Sequence, residues 1–264
     1  MTLFSSPRIA VIELYGMLGQ PQRTAEQIRL LQSLRENDST RAVVVDIDSG
    51  GGTVAASEYL HRSVKKLVEK KPVIAFVRGT AASGGYMVGC ASSKIVALPT
   101  AIVGSIGVIS IRPLVYDMLD KIGVRVSVTK SGRLKDMWSP FRESTEEERE
   151  REQALLDEFY EQFVRIVADG RKLPVEQVRS LATGEVFTAV KGKEAGLVDE
   201  LGDLDSAIDL AAEVSHAPRR VRYVRPRRGL RALLMSRVAT AMVEEVSIQI
   251  EQVLQRRIEY RRPR

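Results

Sequence analysis

The chain has 264 residues, 44% of them hydrophobic and 28% charged, with a formal net charge of +6. That length and apolar content suit one large domain with a sizeable core, or a domain plus an appendage. A single cysteine, Cys90, excludes an intrachain disulfide, and the absence of Cys/His clusters at metal-ligand spacing argues for no metal or other cofactor. No stretch reaches the roughly 18 apolar residues of a membrane span, and the N-terminus lacks the pattern of a secretory signal. The expectation is a soluble chain, cytoplasmic or peripheral at a membrane. Charge is unevenly placed. Residues 218–264 hold 13 Arg, no Lys and 4 acidic residues, net +9, against −3 for residues 1–217. A nucleic-acid partner would rest on that tail alone and is not expected.

In chain order, "RIAVIELYG" (8–16) alternates as a strand does, and "TAEQIRLLQSLREND" (24–38) has helical periodicity. "AVVVDID" (42–48) is a continuous apolar run, as in a strand buried on both faces. Residues 49–71 read as a glycine turn and a helix, and "PVIAFV" (72–77) as the next buried strand. A helix is predicted to open at Ser83. "KIVALP" (94–99) and "IGVRVSVT" (122–129) read as strands, with "IRPLVYDMLDKIG" (111–123) as a helix between them. A long charged helix is predicted from Thr145 to about Ala168, with Ser144 and Glu147 as its capping box. "LPVEQVRSLA" (173–182) and "SAIDLAAEVSH" (206–216) are shorter helices. Strand, glycine turn, helix, strand, repeated, is the pattern of parallel α/β units.

The last segment changes character. "APRRVRYVRPRRG" (217–229) reads as an extended connector. Beyond it, Leu230, Leu234, Val238, Met242, Val246, Ile250 and Leu254 recur near every fourth position, which predicts an amphipathic helix. The division is therefore a domain over 1–217 and a connector with helix over 218–264. The Arg-rich connector and amphipathic helix have two readings: peripheral contact with anionic lipid, or a helix that packs in an oligomer or is an ordinary surface helix.

Two glycine turns stand at strand-to-helix junctions: Gly50–Gly52, and Gly84–Gly85 after Ser83. Such turns can offer backbone N–H groups to an anion, but "SGGGTV" lacks the lysine of a phosphate-binding loop. Ser83 has two readings, a helix N-cap or an exposed nucleophile whose flanking small residues let a substrate backbone come close. A serine nucleophile needs a base. Only two histidines exist, His61 in mid-helix and His216 at the entrance to the tail, and neither has an acidic orienting partner in a motif. The alternative is a lysine whose neutral amine accepts the serine proton. "TKSGRLKDMWSPFRE" (129–143) carries Lys130, Lys135 and the only tryptophan, Trp138. Composition alone does not choose between the two lysines.

"DSGGGTVAASEYL", "GTAASGGYMVGCAS", "GSIGVI", "KSGRLKDMWSPFRE" and "TGEVFTAVKGKEAGLVDELGDLDSAI" occur in that order. Together they resemble the signal peptide peptidase A family of serine proteases over about residues 8–214. The resemblance implies an α/β fold similar to the Clp protease subunit and the crotonases. It implies Ser83 as nucleophile, Lys135 as general base, Gly52 and Gly84 as the oxyanion-hole donors, and Gly51 and Gly85 as positions facing the substrate. Lys130 lies outside the matching position. It further implies peptide substrates such as released signal peptides, and a homo-oligomer whose Ser and Lys meet across subunits. Three features depart from the family pattern. Gly50 stands where proline is usual, Glu185 stands where arginine is usual, and the N-terminal membrane helix of bacterial members has no counterpart here. Two rival readings share the fold: a crotonase-type acyl-CoA enzyme, which lacks the "SGxxKD" lysine, and a non-catalytic oligomeric scaffold.

Overall fold

The computed structural model describes residues 8–226. Its centre is three parallel strands, β1 (Arg8–Tyr15), β2 (Thr40–Ser49) and β3 (Val73–Ala82). Alternation sorts their side chains onto two faces. Ala10, Ile12, Val43, Val45, Ile47, Ala75 and Val77 face one core, and Ile9, Val11, Ala42, Val44, Ile74 and Phe76 the other. Both faces are covered, which is why β2 reads as an unbroken apolar run.

Helices α1 (Pro21–Glu36) and α2 (Val54–Val68) connect these strands, and α3 (Gly84–Gly89) follows β3. Proline opens α1, where its missing N–H costs nothing. Thr53 caps α2 by accepting the Ala56 N–H, and Ala56, Leu60, Val64 and Leu67 form its buried stripe. Next come β4 (Lys94–Ala97), β5 (Ile102–Gly104), α4 (Tyr116–Lys121), α5 (Glu146–Arg171) and α6 (Val175–Leu181). The chain continues through β6 (Val186–Thr188), α7 (Ala189–Glu194), β7 (Glu200–Leu201), α8 (Leu204–Ser215) and β8 (Val221–Tyr223). The sheet runs β6-β5-β3-β2-β1-β8, with β4 also pairing with β3 and β7. Among the described strands only the β5–β6 pair is antiparallel. Helix α8 lies against the second core through Ala207, Ile208 and Ala211.

Three expectations need correction, and one open choice between readings is narrowed. Residues 122–129 are not a strand: they carry no regular hydrogen bonding and every one is exposed. Their alternation is real, but among the described residues no neighbouring strand accepts their backbone groups, and a strand exists only as part of a ladder. The helix expected over 111–123 shrinks to α4, because Pro113 and the irregular chain before it leave only Tyr116–Lys121 in helical hydrogen bonding. The capping box is offset by one residue. Thr145 Oγ1 accepts the Glu148 N–H at 3.3 Å, and Glu148 Oε2 accepts the Thr145 N–H at 2.9 Å, while the Ser144 hydroxyl accepts from Arg112. Ser83 does not cap α3 with its side chain.

Within the expected connector, Val221–Tyr223 extends the sheet by pairing with β1, and Arg225 bonds Glu13 at 3.0 Å. The amphipathic helix expected from Leu230 onward lies outside the described residues. Among the described residues no helix is long and apolar enough to cross a membrane.

Candidate active site

Strand β3 delivers Ser83 to the start of α3. Its backbone is held at both ends: the N–H donates to the Gly104 carbonyl at 2.8 Å, and the carbonyl accepts the Met87 N–H at 2.9 Å. Between these anchors Ser83 has φ +50° and ψ −124°, a conformation foreign to non-glycine residues. Such a geometry costs about 1–3 kcal/mol and persists only where surrounding structure enforces it. The hydroxyl makes no capping bond. The backbone is committed to structure, and the hydroxyl has no hydrogen-bond partner among the described residues.

The second glycine turn packs directly on this one. Gly51 has φ +99°, and a Cβ there would lie 2.7 Å from Gly84 N and 2.9 Å from Ser83 Cβ. On Gly84 a Cβ would sit 2.0 Å from Ser57 Oγ and 3.4 Å from Gly52 N, and on Gly85 it would sit 2.5 Å from the Ser49 carbonyl oxygen. Gly52 is pressed onto Leu18, its hypothetical Cβ only 1.7 Å from that carbonyl oxygen. Gly50 by contrast faces open space, so nothing around it requires the proline usual in the resembling family. The Gly52 and Gly84 N–H groups stand close together, and neither donates a hydrogen bond among the described residues.

Ser83, Gly84 and Gly52 open onto a cavity of about 560 Å³. Its apolar wall comes from Val54, Met87 and Val108 and from Phe159 and Phe163 of α5. Ser57, Ser105, Ile109, Tyr160 and the turn Ala182–Gly184 also line it. The α5 contribution is absent from the sequence-based expectations, where that helix reads as charged. The i,i+4 pair Phe159 and Phe163 is the signal that could have found it.

Lys135 lies on an exposed turn, its N–H bonded to the Gly132 carbonyl at 3.0 Å. It does not line the cavity, and no hydrogen bond joins it to Ser83 within the chain. The two lysines of the segment differ in one respect. Lys130 is ion-paired with Asp136, whereas the Lys135 ammonium has no carboxylate partner among the described residues. Arg142 ties this turn to α5 by bridging Asp136 at 3.0 Å and the buried Glu148 at 2.6 Å. Hydrogen bonds from Arg142 and the Thr145 N–H bring the Glu148 carboxyl down to about 2, and Arg142 and Lys130 lower Asp136 as well.

Neither histidine lines the cavity. His61 is buried, with Nδ1 at 2.8 Å from the Met87 carbonyl, to which it donates; burial lowers its pKa. His216 is exposed and ends α8 in a left-handed conformation. Glu185 is exposed too, and contributes through its carbonyl, which accepts the Ser105 N–H at 2.7 Å.

The sequence profile of Peptidase family S49 matches residues 65–217. The Methanocaldococcus jannaschii protein MJ0651 is 40% identical over 194 residues, covering 73% of this chain and 62% of that protein. Protease 4 of Salmonella typhi is 36% identical over 73% of this chain and 31% of its own length. The chloroplastic serine protease SPPA of Arabidopsis thaliana is 34% identical over 74% of this chain and 29% of its own length. The chain thus spans less than two thirds of each of these three relatives. Among solved structures, a ClpP1 mutant from Listeria monocytogenes superposes with a TM-score of 0.52 at 18% identity, covering 75% of this chain and 93% of that one. The architecture is the Clp protease-like α/β fold.

Proposed function

Because the chain belongs to Peptidase family S49, we propose that it is a serine endopeptidase in which Ser83 attacks and Lys135 serves as the base. The observation that carries this reading is Ser83 itself. A strained backbone holds an uncommitted hydroxyl at a cavity mouth, beside two unused N–H donors.

In the proposed reaction, an extended peptide lies along the glycine turns, with Gly51 and Gly85 facing its backbone. Lys135 takes the Ser83 proton as Oγ adds to the peptide carbonyl. The Gly52 and Gly84 N–H groups hold the developing oxyanion, and loss of one such donor typically costs about 100- to 1,000-fold in rate. Lys135 then returns the proton to the leaving amine, the C–N bond breaks, and water releases the acyl group from Ser83. The apolar cavity wall supports substrates with apolar side chains near the cut, such as released signal peptides.

Lys135 is proposed to reach Ser83 of a neighbouring subunit in a homo-oligomer. From residue 107 to residue 147 no side chain is buried, and Ile111, Ile122 and Trp138 are 83%, 65% and 54% exposed. Apolar exposure on that scale fits a surface covered by another copy of the chain.

The test is subunit complementation on an apolar fluorogenic peptide. Ser83→Ala and Lys135→Ala should each be inactive alone. Co-refolded in equal amounts, they should regain about one quarter of wild-type activity, the chance that a shared site draws an intact residue from each neighbour. Activity surviving in Ser83→Ala would refute the nucleophile. Two inactive variants that do not complement would refute the shared site.

A further inference from the structure

The register between β2 and β3 breaks just before Ser83. Ile47 pairs with Val77, and the next pair is Ser49 with Ala81. One residue of β2, Asp48, therefore stands opposite three of β3: Arg78, Gly79 and Thr80. Such a bulge withdraws backbone groups from the ladder and re-aims the strand beyond it. The Asp48 carboxylate meets that need, accepting the Thr80 N–H at 2.9 Å. Gly79 lies against the same carboxylate, where a Cβ would come 2.9 Å from Oδ1. Upstream of the bulge, Arg78 folds back on the buried Asp46, with Nη2 at 2.5 Å, and the Tyr15 hydroxyl donates to the same carboxylate at 2.6 Å.

Both strands lead from the bulge straight into the glycine turns. Past it, Ser49 pairs with Ala81, Ala82 pairs with Gly104 of β5, and the next residue is Ser83. On the β2 side, Ser49 Oγ donates to the Gly16 carbonyl at 2.6 Å and accepts the Gly51 N–H at 3.2 Å, beginning the first glycine turn. An unbulged β3 would carry Ser83 two residues further along β2, away from Gly51 and Gly52. The stagger of the two strands sets the alignment of the two turns.

We infer that Asp48 is a positioning residue: by holding the Arg78–Thr80 bulge, its carboxylate oxygen sets Ser83 against the Gly52 and Gly84 N–H groups. The inference rests on the peptidase reading for its catalytic consequence. What it needs is an acceptor atom at this point, not a charge.

The test compares Asp48→Ala, which removes the acceptor, with Asp48→Asn, which keeps an oxygen of the same reach. Gly79→Ala is a second perturbation, since its methyl displaces the carboxylate without removing it. Asp48→Ala and Gly79→Ala should lower kcat about 10- to 100-fold with KM changed less than about threefold, and should slow Ser83 labelling by a fluorophosphonate in parallel. Asp48→Asn should stay within about threefold of wild type. Amide hydrogen exchange over residues 78–84 should speed up in the first two variants only. Wild-type kcat in folded Asp48→Ala would overturn the inference, as would equal losses in the Asn and Ala variants. If wild-type protein is not labelled at Ser83, the peptidase reading fails by itself. The exchange data then judge the bulge, and unchanged exchange in Asp48→Ala would reject it.

Discussion

Gly51→Ala should damage catalysis beyond what backbone strain alone explains. The new methyl would lie 2.7 Å from Gly84 N and 2.9 Å from Ser83 Cβ, where ordinary contacts are about 3.5–4 Å. Relief requires the two turns to part by roughly 0.5–1 Å, and both contacts are backbone or first side-chain atoms that cannot swing aside. A displacement of about 1 Å at a reacting group can cost about 100-fold in rate, or roughly 2.7 kcal/mol of barrier. Holding alanine at φ +99° adds about 1–3 kcal/mol of strain to the folded state, a fall in Tm of roughly 2–12 °C for a domain of this size. Gly196→Ala is the control. It has φ +80° and meets only the Leu173 side chain, at 3.1 Å, and it does not line the cavity, so it carries strain without contact at the site. The assay is kcat and KM on an apolar fluorogenic peptide, with thermal unfolding of each variant. We expect kcat to fall about 100-fold in Gly51→Ala and to change less than about threefold in Gly196→Ala, with both losing some Tm. A Gly51→Ala enzyme within about threefold of wild-type kcat would refute the close packing of the turns as a determinant of Ser83 geometry.

Burial alone would raise the Asp199 carboxyl, yet Arg171 at 2.8 Å, the Ile95 N–H at 2.8 Å and Lys94 at 3.1 Å hold it below its ordinary value. A depressed carboxyl contributes stability that is complete above its unfolded pKa of about 4 and is lost as pH falls through the lower folded value. Arg171→Met should therefore cost about 3–5 kcal/mol in urea unfolding at pH 7 and less at pH 3, and an equal cost at both would contradict the ion pair's role. Burial pushes the Cys90 thiol up to about 12, so native protein should not react with a thiol reagent at pH 8, while urea-unfolded protein should release one equivalent.

Much of the site is readable in linear order. The glycine turns, Ser83 and the "SGRLKD" segment stand in the order of the family they resemble, and local chemistry explains why the glycines are needed. Glycine is required wherever a Cβ would strike backbone, as at Gly52 and Gly51, and a short motif preserves that need wherever it occurs. Two histidines without acidic partners already argue against a conventional triad, and His61 is accounted for by the Met87 carbonyl.

Other features depend on partners far away in the chain. Ile122, Val124, Val126 and Val128 alternate as a strand should, yet periodicity records only which face a side chain would take, not whether another backbone lies alongside. The apolar cavity wall needs α5 folded against α3, which a helix so charged at its start does not advertise. Whether Ser83 is a cap or an uncommitted hydroxyl depends on φ, and φ there depends on Gly104 holding its N–H. Sequence by itself determined the residue types of the two turns and the family they resemble. Only the tertiary structure decided that the turns meet, through a strand register in which one aspartate stands against three residues, because register is a property of two strands and belongs to neither alone.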